Sequence, residues 1–390
     1  MRDKKILILG GTGHLGSNLI HHLVNDKGCN PENIRVFYRA GTATNALNDI
    51  QCLDFFAGDV LNETDVQRAF EGMQIIFHLI GSTTFNPLIK KQQWQINVHG
   101  TKHILEAALK SSSFEKMCYV STVNVLAPQL SVGSAAEIDA CNPYSSPNRI
   151  HSFASPEHAL QFIATTENEN NDSWVKAIDI GYYDSKLAAQ ELVNYYVQQY
   201  QLNVVSVVPG TMFGAYDFLI GSGVYITTLY SQGIPVALKT GFPLTHVLDV
   251  AEGMVQSIEH FQRGEHFILS GKPEDNRILK DMLHIIAEEL QTFFPNKKFV
   301  TPKIELPFTV VYAAAWLYER IAGLFGLPLT INTQAVKAGK YYWYFLHEKS
   351  NKAIGYTAKR TFRAGVRDAI AYYIKQNLIH VSERQADKAW

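Results

Sequence analysis

The chain begins with a short apolar run, which is followed by apolar residues at helical spacing. Ile6 to Leu9 ends at glycines, and Leu15, Leu19 and Leu23 then recur one helical turn apart. This pattern predicts a strand, a tight turn and a helix.

The same order recurs over the next two hundred residues. Further predicted strands cover Ile34 to Tyr38, Ile75 to Ile80, Met117 to Ser121 and Val204 to Val208, and predicted helices cover Thr64 to Phe70, Asn97 to Leu109 and Tyr182 to about Tyr200. Strands that are apolar on both faces and alternate with helices are typical of a parallel sheet covered on both sides. The predicted fold class is therefore α/β, with a doubly wound parallel sheet.

The rhythm of strands and helices is interrupted between residues 131 and 179 and becomes mixed after residue 213. Clusters of Ser, Pro and Asn in the first of these regions predict an insertion that carries a surface loop. We expect residues 1–213 to form the larger domain, with the insertion at about 131–179. Residues 214–390 are expected to form a smaller mixed lobe, interleaved with the first domain and binding the substrate.

The segment from Leu306 to Leu329 is unusually apolar, but Glu319 and Arg320 interrupt it and prolines bracket it. A membrane-spanning helix of about 20 uncharged residues is therefore excluded. The sequence favours a helix buried in the smaller lobe, and a peripheral contact with a membrane surface stays open as the alternative.

Composition narrows the function classes. The 390 residues include 46% hydrophobic and 18% charged residues, and 35 Lys and Arg balance 36 Asp and Glu. A net charge of -1 gives no general electrostatic field that would attract nucleic acid.

Four widely separated cysteines lack the spacing of a metal site or a redox pair, so we expect no metal. The first residues do not resemble a secretory signal, and we expect a cytoplasmic protein, with membrane association as the alternative.

The glycines after the first predicted strand point to a dinucleotide. Gly10 permits a tight turn, Gly13 lets the backbone approach a pyrophosphate, and Gly16 lets the helix pack close to the strand. The helix N-terminus then offers N–H groups to the phosphates. We therefore expect a Rossmann-type domain. Its predicted cofactor-binding loop comprises Gly10, Thr12, Gly13, His14, Leu15 and Gly16.

Arg39 indicates which dinucleotide is preferred. An NAD site carries a carboxylate near the end of the second strand, where it accepts a hydrogen bond from the ribose 2′-hydroxyl. Here Tyr38, Arg39 and Ala40 offer no carboxylate, and Arg39 could pair with a 2′-phosphate. NADP(H) is favoured, with NAD(H) as the alternative.

Tyr182 and Lys186 are four positions apart at the start of a predicted helix, so they share one face. A nearby ammonium lowers the pKa of a tyrosine and makes it usable as a general acid or base. Tyr183 is the competing candidate. Thr122 ends a predicted strand at the edge of the sheet where ligands of such folds bind.

Taken together, these motifs resemble the extended short-chain dehydrogenase/reductase family, also called the NAD-dependent epimerase/dehydratase superfamily. The likeness is greatest to hydroxysteroid dehydrogenases and dihydroflavonol reductases. The matching landmarks are the glycine loop, Gly58 to Val60, His78 to Gly81, Asn97 to Thr101, Ser121 to Thr122, Tyr182 to Lys186, Pro209 to Gly210 and His246 to Ala251.

The resemblance also implies roles for individual residues. Tyr182 would be the proton donor, Thr122 would hydrogen-bond the reacting carbonyl, and Lys186 would tune Tyr182 and hold the nicotinamide ribose. Asn97 would be the structural member of this catalytic set. The remaining cofactor contacts that the resemblance implies are Asp59, Val60, Leu79, Ile80, Gly81, Pro209 and Gly210.

Three function classes follow from the resemblance. The favoured class is an oxidoreductase that interconverts a ketone or aldehyde with an alcohol on an apolar substrate. A nucleotide-sugar enzyme would need Arg or Lys residues in the smaller lobe to hold a second diphosphate. Between Ala215 and Glu259, Lys239 is the only such residue. A nucleotide-sugar epimerase or dehydratase is the first alternative. A non-catalytic NADP-sensing protein is the second. A homodimer is common in the family, and the sequence leaves the oligomeric state of this chain open.

Overall fold

A parallel sheet dominates the architecture. The computed structural model describes residues 1–126, 180–325 and 332–379. The main sheet has seven strands, and every neighbouring pair is parallel. Its strands are β1 (Ile6–Leu9), β2 (Ile34–Tyr38), β3 (Asp54–Ala57), β4 (Ile75–His78), β5 (Lys116–Val120), β6 (Val204–Pro209) and β10 (His266–Leu269). Their order is β10-β6-β5-β4-β1-β2-β3. Since the chain runs outward from β1 in one direction and from β4 in the other, the predicted doubly wound sheet is confirmed.

Helices cover both faces of the sheet. The described helices are α1 (His14–His21), α2 (Glu63–Phe70), α3 (Lys90–Trp94), α4 (Gly100–Lys110), α5 (Gly181–Tyr200), α6 (Val224–Ser231), α7 (Val247–Glu259), α8 (Leu279–Phe293), α9 (Phe308–Phe325), α10 (Thr333–Ala338), α11 (Glu348–Ile354) and α12 (Phe362–Lys375). Alternate residues of β1 point to opposite faces: Leu7 and Leu9 pack with α2, α4 and α5, whereas Ile6 and Ile8 pack with α1 and α7. This double burial explains why the strands are apolar on both sides.

Two smaller sheets lie in the second half of the chain. One contains β7 (Thr211–Phe213), β9 (Gly241–His246) and β11 (Asn276–Ile278), and the other pairs β8 (Val236–Leu238) with β12 (Ile304–Leu306). A third hydrophobic core joins the first of these sheets to α6, α8 and α12. β10 belongs to the main sheet although it follows residue 213, and the division into domains at that residue stays a prediction.

β3 and β10 are the two strands of the main sheet that the sequence pattern did not predict, and β3 carries the weaker apolar signal. It lies at the edge of the main sheet, where three of its four residues are exposed. An edge strand needs no continuous apolar run, so its sequence carries little signal. The predicted insertion at 131–179 falls outside the described residues.

The prediction of a buried helix between Leu306 and Leu329 is wrong for its described part. α9 buries only Ala315 and Ala322, while Leu317 is 54% and Leu324 81% exposed. α9 packs mainly against α10. Its buried side chains are the two alanines, so the larger apolar side chains of α9 are exposed on its outer face. Among the described residues, no helix is both long and apolar enough to cross a membrane.

Candidate active site

The glycine loop turns tightly between β1 and α1. Gly10 has φ +87°, a conformation that favours glycine, and its N–H donates to the carbonyl of Phe37 at 3.0 Å. A Cβ on Gly16 would lie 2.4 Å from the carbonyl oxygen of Gly10. No side chain larger than hydrogen fits there, so α1 begins directly against the loop. Gly13 is the N-cap of α1, whose first N–H groups face the edge of the sheet.

His14 and Leu15 open the helix, and Thr12 lies in the turn before it. Leu15 is buried in the core between the sheet and α1. His14 is half-buried, and its buried Nε2 has no hydrogen-bond partner among the described residues. Burial lowers the pKa of His14, with the charge of Asp217 opposing that effect. The imidazole is therefore neutral near pH 7, and the loop presents backbone N–H groups rather than a side-chain charge.

Arg39 follows the end of β2 on the same edge of the sheet. Its side chain is exposed and has no ion-pair or hydrogen-bond partner in the part of the chain that the structure describes. Asp59 is also exposed, and its carboxylate accepts a hydrogen bond from the N–H of Leu61. Val60, by contrast, packs into the core against Gly100. Arg39 is therefore an exposed cation without a described partner, at the same edge of the sheet as the glycine loop.

The segment after β4 lies directly beside the glycine loop. The N–H of Leu79 donates to the carbonyl of Leu9 at 2.9 Å, and the backbone of Ile80 borders Gly10. A Cβ on Gly81 would lie 3.4 Å from Oδ1 of Asn97 and 3.9 Å from Nζ of Lys186. Gly81 therefore lies next to both the Asn97 amide and the Lys186 ammonium.

Asn97 lies in a π-helical turn, Gln95–His99, just before α4. Its side-chain amide donates to Oγ of Ser185 at 2.9 Å and to the carbonyl of Ser82, and it accepts from the N–H of Ser82 at 2.7 Å. π-helical turns often occur at functional sites. The amide of Asn97 locks α5 to the loop after β4, because it bridges both elements.

Tyr182 and Thr122 meet at the carboxyl end of β5. Both side chains are buried, with exposed fractions of 7% and 6%. Burial raises the pKa of Tyr182, and the neighbouring hydroxyl of Thr122 opposes that increase. Thr122 has extended backbone, and its Oγ1 also accepts from the N–H of Asn124. The two hydroxyl groups form a pair at the end of the strand.

Tyr183 points elsewhere. Its ring packs edge-on against Trp343, with ring centroids 5.3 Å apart, in a buried aromatic cluster. Phe85 contacts both tyrosines edge-on, at 5.8 Å from Tyr182 and 5.7 Å from Tyr183. Of the two tyrosines, Tyr182 is the one whose hydroxyl pairs with Thr122.

Lys186 follows Tyr182 by one turn of α5 and is 4% exposed. Its Nζ donates to the hydroxyl oxygen of Tyr119 at 3.2 Å and to the carbonyl of Val120 at 2.8 Å. Burial lowers the pKa of Lys186 to about 7. The sequence predicted that this ammonium would lower the pKa of Tyr182. The pKa of Tyr182 is raised instead, because the phenol is buried and the ammonium is directed to the end of β5.

Pro209 and Gly210 complete the edge at the end of β6. Both are buried. The N–H of Gly210 donates to the carbonyl of Leu269 at 3.3 Å, and a Cβ on Gly210 would lie 2.4 Å from the carbonyl oxygen of Pro243. The chain can pass from the main sheet to the smaller sheet here only with glycine at this position.

Three aromatic residues at this site were not predicted as site residues. Phe85 and Trp343 flank the tyrosine pair, and Tyr119 contacts Lys186. Trp343 lies in an aromatic run of the sequence, but nothing local shows that this run returns to α5. Tyr119 is close to Thr122 along the chain. Its position in a predicted strand indicated that it would be buried, but not that it would contact Lys186.

The loops after β1, β2, β4, β5 and β6 therefore converge at one edge of the main sheet, on both sides of the point where the strand order reverses. Ligands of doubly wound sheets bind at this place. The glycine loop offers helix N–H groups for a pyrophosphate. Arg39 provides a positive charge at one end of this edge of the sheet. Thr122, Tyr182 and Lys186 lie at its other end. The fold and the site therefore place this protein in the class of dinucleotide-binding α/β enzymes.

Comparisons with known proteins show which families the chain is similar to. Residues 7–147 match the 3-beta hydroxysteroid dehydrogenase/isomerase family. Residues 164–270 match the NAD dependent epimerase/dehydratase family. Human short-chain dehydrogenase/reductase family 42E member 1 is 24% identical over 372 residues, covering 92% of this chain and 85% of the relative. Anthocyanidin reductase of Arabidopsis thaliana is 24% identical over 277 residues, covering 64% of this chain and 70% of the relative.

Solved structures share the fold. The crystal structure of gox2253 superposes with a TM-score of 0.70 at 23% identity, covering 97% of this chain and all of that chain. The dTDP-glucose 4,6-dehydratase DesIV from Streptomyces venezuelae, with NAD and TYD bound, has a TM-score of 0.65 at 15% identity, covering 95% of this chain and 97% of that chain. These matches bear out the resemblance to the extended short-chain dehydrogenase/reductase family that the motifs predicted. They support an enzyme of the oxidoreductase type, and one of the matching families is described as NAD dependent.

Proposed function

We propose that this protein is an NADP(H)-dependent oxidoreductase that interconverts a ketone or aldehyde with an alcohol on a largely apolar substrate. The observation that carries the proposal is the buried hydroxyl pair of Tyr182 and Thr122, with Lys186 one helical turn further on. A proton donor and a carbonyl-binding hydroxyl at the sheet edge are the groups that carbonyl reduction requires.

The residues present fit a dinucleotide. The tight packing at Gly16 brings the N-terminus of α1 against the loop, so its N–H groups can bind a pyrophosphate. Gly81 lies next to Nζ of Lys186, an ammonium that can donate to ribose hydroxyls. When bound, the nicotinamide supplies or accepts the hydride.

The protein's own groups then handle the proton. Because burial raises the pKa of Tyr182, its hydroxyl is protonated near pH 7, which is the form that a reductase needs. Thr122 holds the substrate oxygen next to that hydroxyl, and Tyr182 gives its proton to this oxygen as the carbonyl is reduced. Lys186 stabilises the phenolate that remains.

Arg39 supports a preference for NADP(H) over NAD(H). Its guanidinium lies at the end of β2 without a described partner, and a guanidinium recognises a 2′-phosphate with paired hydrogen bonds. No carboxylate follows β2 at Tyr38 to Gly41 to accept from a ribose hydroxyl.

An apolar substrate is supported by the surroundings of Tyr182. Phe85 packs against its ring, and the buried cluster around it contains Tyr341, Trp343 and Phe345. The matches to a hydroxysteroid dehydrogenase family and to anthocyanidin reductase concern enzymes named for ring-shaped organic substrates. The likeness of fold to a sugar-nucleotide dehydratase keeps the epimerase or dehydratase as the second candidate.

One screen distinguishes these functions. Purified protein is incubated with NADPH and, separately, with steroid, flavonoid, aldehyde and sugar-nucleotide substrates, and oxidation of the cofactor is followed by absorbance. Net oxidation with a carbonyl substrate supports the reductase. Conversion of a sugar nucleotide without net cofactor oxidation would instead identify an epimerase or dehydratase. Binding of NADPH without turnover of any substrate would favour an NADP-sensing protein.

We also propose that α9 contacts a membrane surface peripherally. Its outer face exposes Val310, Leu317, Ile321 and Leu324 in one stripe, and the Arg320 guanidinium lies over the Trp316 ring at 5.3 Å. An exposed apolar stripe with interfacial Trp and Arg is typical of helices that lie on a bilayer. Such a contact would bring the protein to apolar substrates dissolved in lipid.

A further inference from the structure

The ammonium of Lys186 is held by a residue of the sheet. Its Nζ donates to the hydroxyl oxygen of Tyr119 at 3.2 Å and lies 4.7 Å from the centroid of the same ring. Tyr119 is fully buried on β5, whose last residue, Val120, provides the second acceptor at 2.8 Å. One side chain thus offers both a lone pair and an aromatic face to one cation.

Both contacts oppose the effect of burial on Lys186. Desolvation lowers the pKa of this lysine to about 7, so its charge at neutral pH depends on the groups around it. A hydroxyl acceptor and an aromatic face each favour the charged form. Burial raises the pKa of Tyr119 itself, so its hydroxyl stays neutral.

Among the described residues, few other titratable groups face this ammonium. His78 on β4 packs against the Tyr119 ring at 5.2 Å, and its Nε2 is hydrogen-bonded with Thr101 at 3.0 Å. Burial, and secondarily the charge of Lys186, lowers the pKa of His78 well below its usual value, so that ring is neutral. The remaining group is Tyr182 on the same helix, and among the described residues no carboxylate pairs with Lys186.

We propose that Tyr119 is a positioning residue for Lys186: it holds Nζ beside Gly81 and keeps the ammonium protonated. A neutral acceptor can do this without cancelling the charge, whereas a carboxylate would. The positive potential then remains available to a phenolate at Tyr182. This inference deepens the proposed function and rests on it for the chemical role of Lys186.

The direct test is the pKa of Lys186 in Tyr119→Phe, which removes the hydroxyl and keeps the ring. Lysine side chains are labelled with 13C at the ε position, and the signal of Lys186 is identified by its loss in Lys186→Met. NMR titration should show the pKa of Lys186 lower by about one unit in Tyr119→Phe than in the wild type. Tyr356→Phe is the matched control, since Tyr356 is a buried tyrosine whose hydroxyl donates to the carbonyl of Ser270 at 2.8 Å. It should leave that pKa unchanged.

The pH dependence of turnover provides the second readout. The alkaline limb of kcat/KM for carbonyl reduction should move to lower pH by about the same amount in Tyr119→Phe, and not in Tyr356→Phe. If Tyr119→Phe does not fold, 3-fluorotyrosine at position 119, a weaker acceptor of similar size, should shift the pKa in the same direction.

The outcomes separate this inference from the proposed function. An unchanged pKa of Lys186 in the Tyr119 variant, in a protein that reduces carbonyl substrates, overturns the inference alone. A lowered pKa in a protein that turns over no carbonyl substrate supports the role of Tyr119 and overturns the proposed function.

Discussion

The hydroxyl of Tyr182 lies beside that of Thr122, although the two residues belong to different elements, α5 and the end of β5. This arrangement places a proton donor and a carbonyl-binding group side by side. It also joins the helix that carries Lys186 to the edge of the sheet where a dinucleotide would bind.

Thr122→Ala should lower kcat by about 10²- to 10³-fold, since one hydrogen bond to the developing charge on oxygen is lost. Thr122→Ser keeps the hydroxyl and should retain most of the activity. Steady-state kinetics with the best carbonyl substrate from the screen makes the comparison. Equal rates for the Ala and Ser variants would show that the hydroxyl has no part in the reaction.

Arg39→Ala should weaken NADPH binding by about 1.5 to 3 kcal/mol and leave NADH binding nearly unchanged, because only the 2′-phosphate contact is removed. Isothermal titration calorimetry with both cofactors measures the difference. Arg2→Ala is a suitable control, since Arg2 is an exposed arginine that donates to the carbonyl of Lys27, away from the glycine loop. Equal affinities of the wild type for NADPH and NADH would refute the assignment of Arg39.

Lys186→Met should stabilise the protein at pH 6, by about 1 to 4 kcal/mol, because it removes a charge that is buried in the folded state. The pKa of Lys186 is about 7 when folded and lower than in the unfolded chain. Between these two values the unfolded state binds more protons, so this lysine makes stability rise with pH. The advantage of Lys186→Met should therefore shrink as the pH rises from about 7 towards 10. Denaturant unfolding at several pH values tests this, and a pH-independent difference would mean that Lys186 is not charged and buried at pH 6.

Leu317→Glu and Ile321→Glu should each reduce binding to lipid vesicles by at least about tenfold, since each places a charge on the exposed apolar stripe of α9. Leu109→Glu is the matched control: Leu109 is 40% exposed on α4, close to the 41% of Ile321. Sedimentation with vesicles of neutral and of anionic lipids gives the bound fraction. Equal loss of binding in all three variants, or no binding by the wild type, would exclude α9 as the contact.

The sequence predicted the main sheet well for a physical reason. Buried parallel strands such as β1 and β6 need apolar residues on both faces, and the glycine loop needs small residues at fixed positions. The edge strand β3 and the exposure of α9 could not be predicted, because an apolar helix looks the same in sequence whether its large side chains face inward or outward. The domain boundary at residue 213 stays a prediction.

The candidate site was predictable only in part. Spacing along one helix placed Tyr182 and Lys186 together, but the direction of the ammonium depends on Tyr119, which is 67 positions away in the chain. The Phe85 and Trp343 contacts are likewise long-range. Local patterns carry no information about such pairs, so neither the raised pKa of Tyr182 nor the acceptors of Lys186 could be read from the sequence.

The most direct test of the central claim is the single-turnover rate of NADPH oxidation in Tyr182→Phe, measured with saturating carbonyl substrate. The hydroxyl is needed only when a proton moves, so the rate should fall by about 10²- to 10⁴-fold while the affinity for NADPH stays within about twofold of the wild type. Tyr183→Phe, whose ring packs on Trp343, should keep the wild-type rate. A wild-type rate in Tyr182→Phe together with a large loss in Tyr183→Phe would contradict the account and move the proton donor to the neighbouring residue.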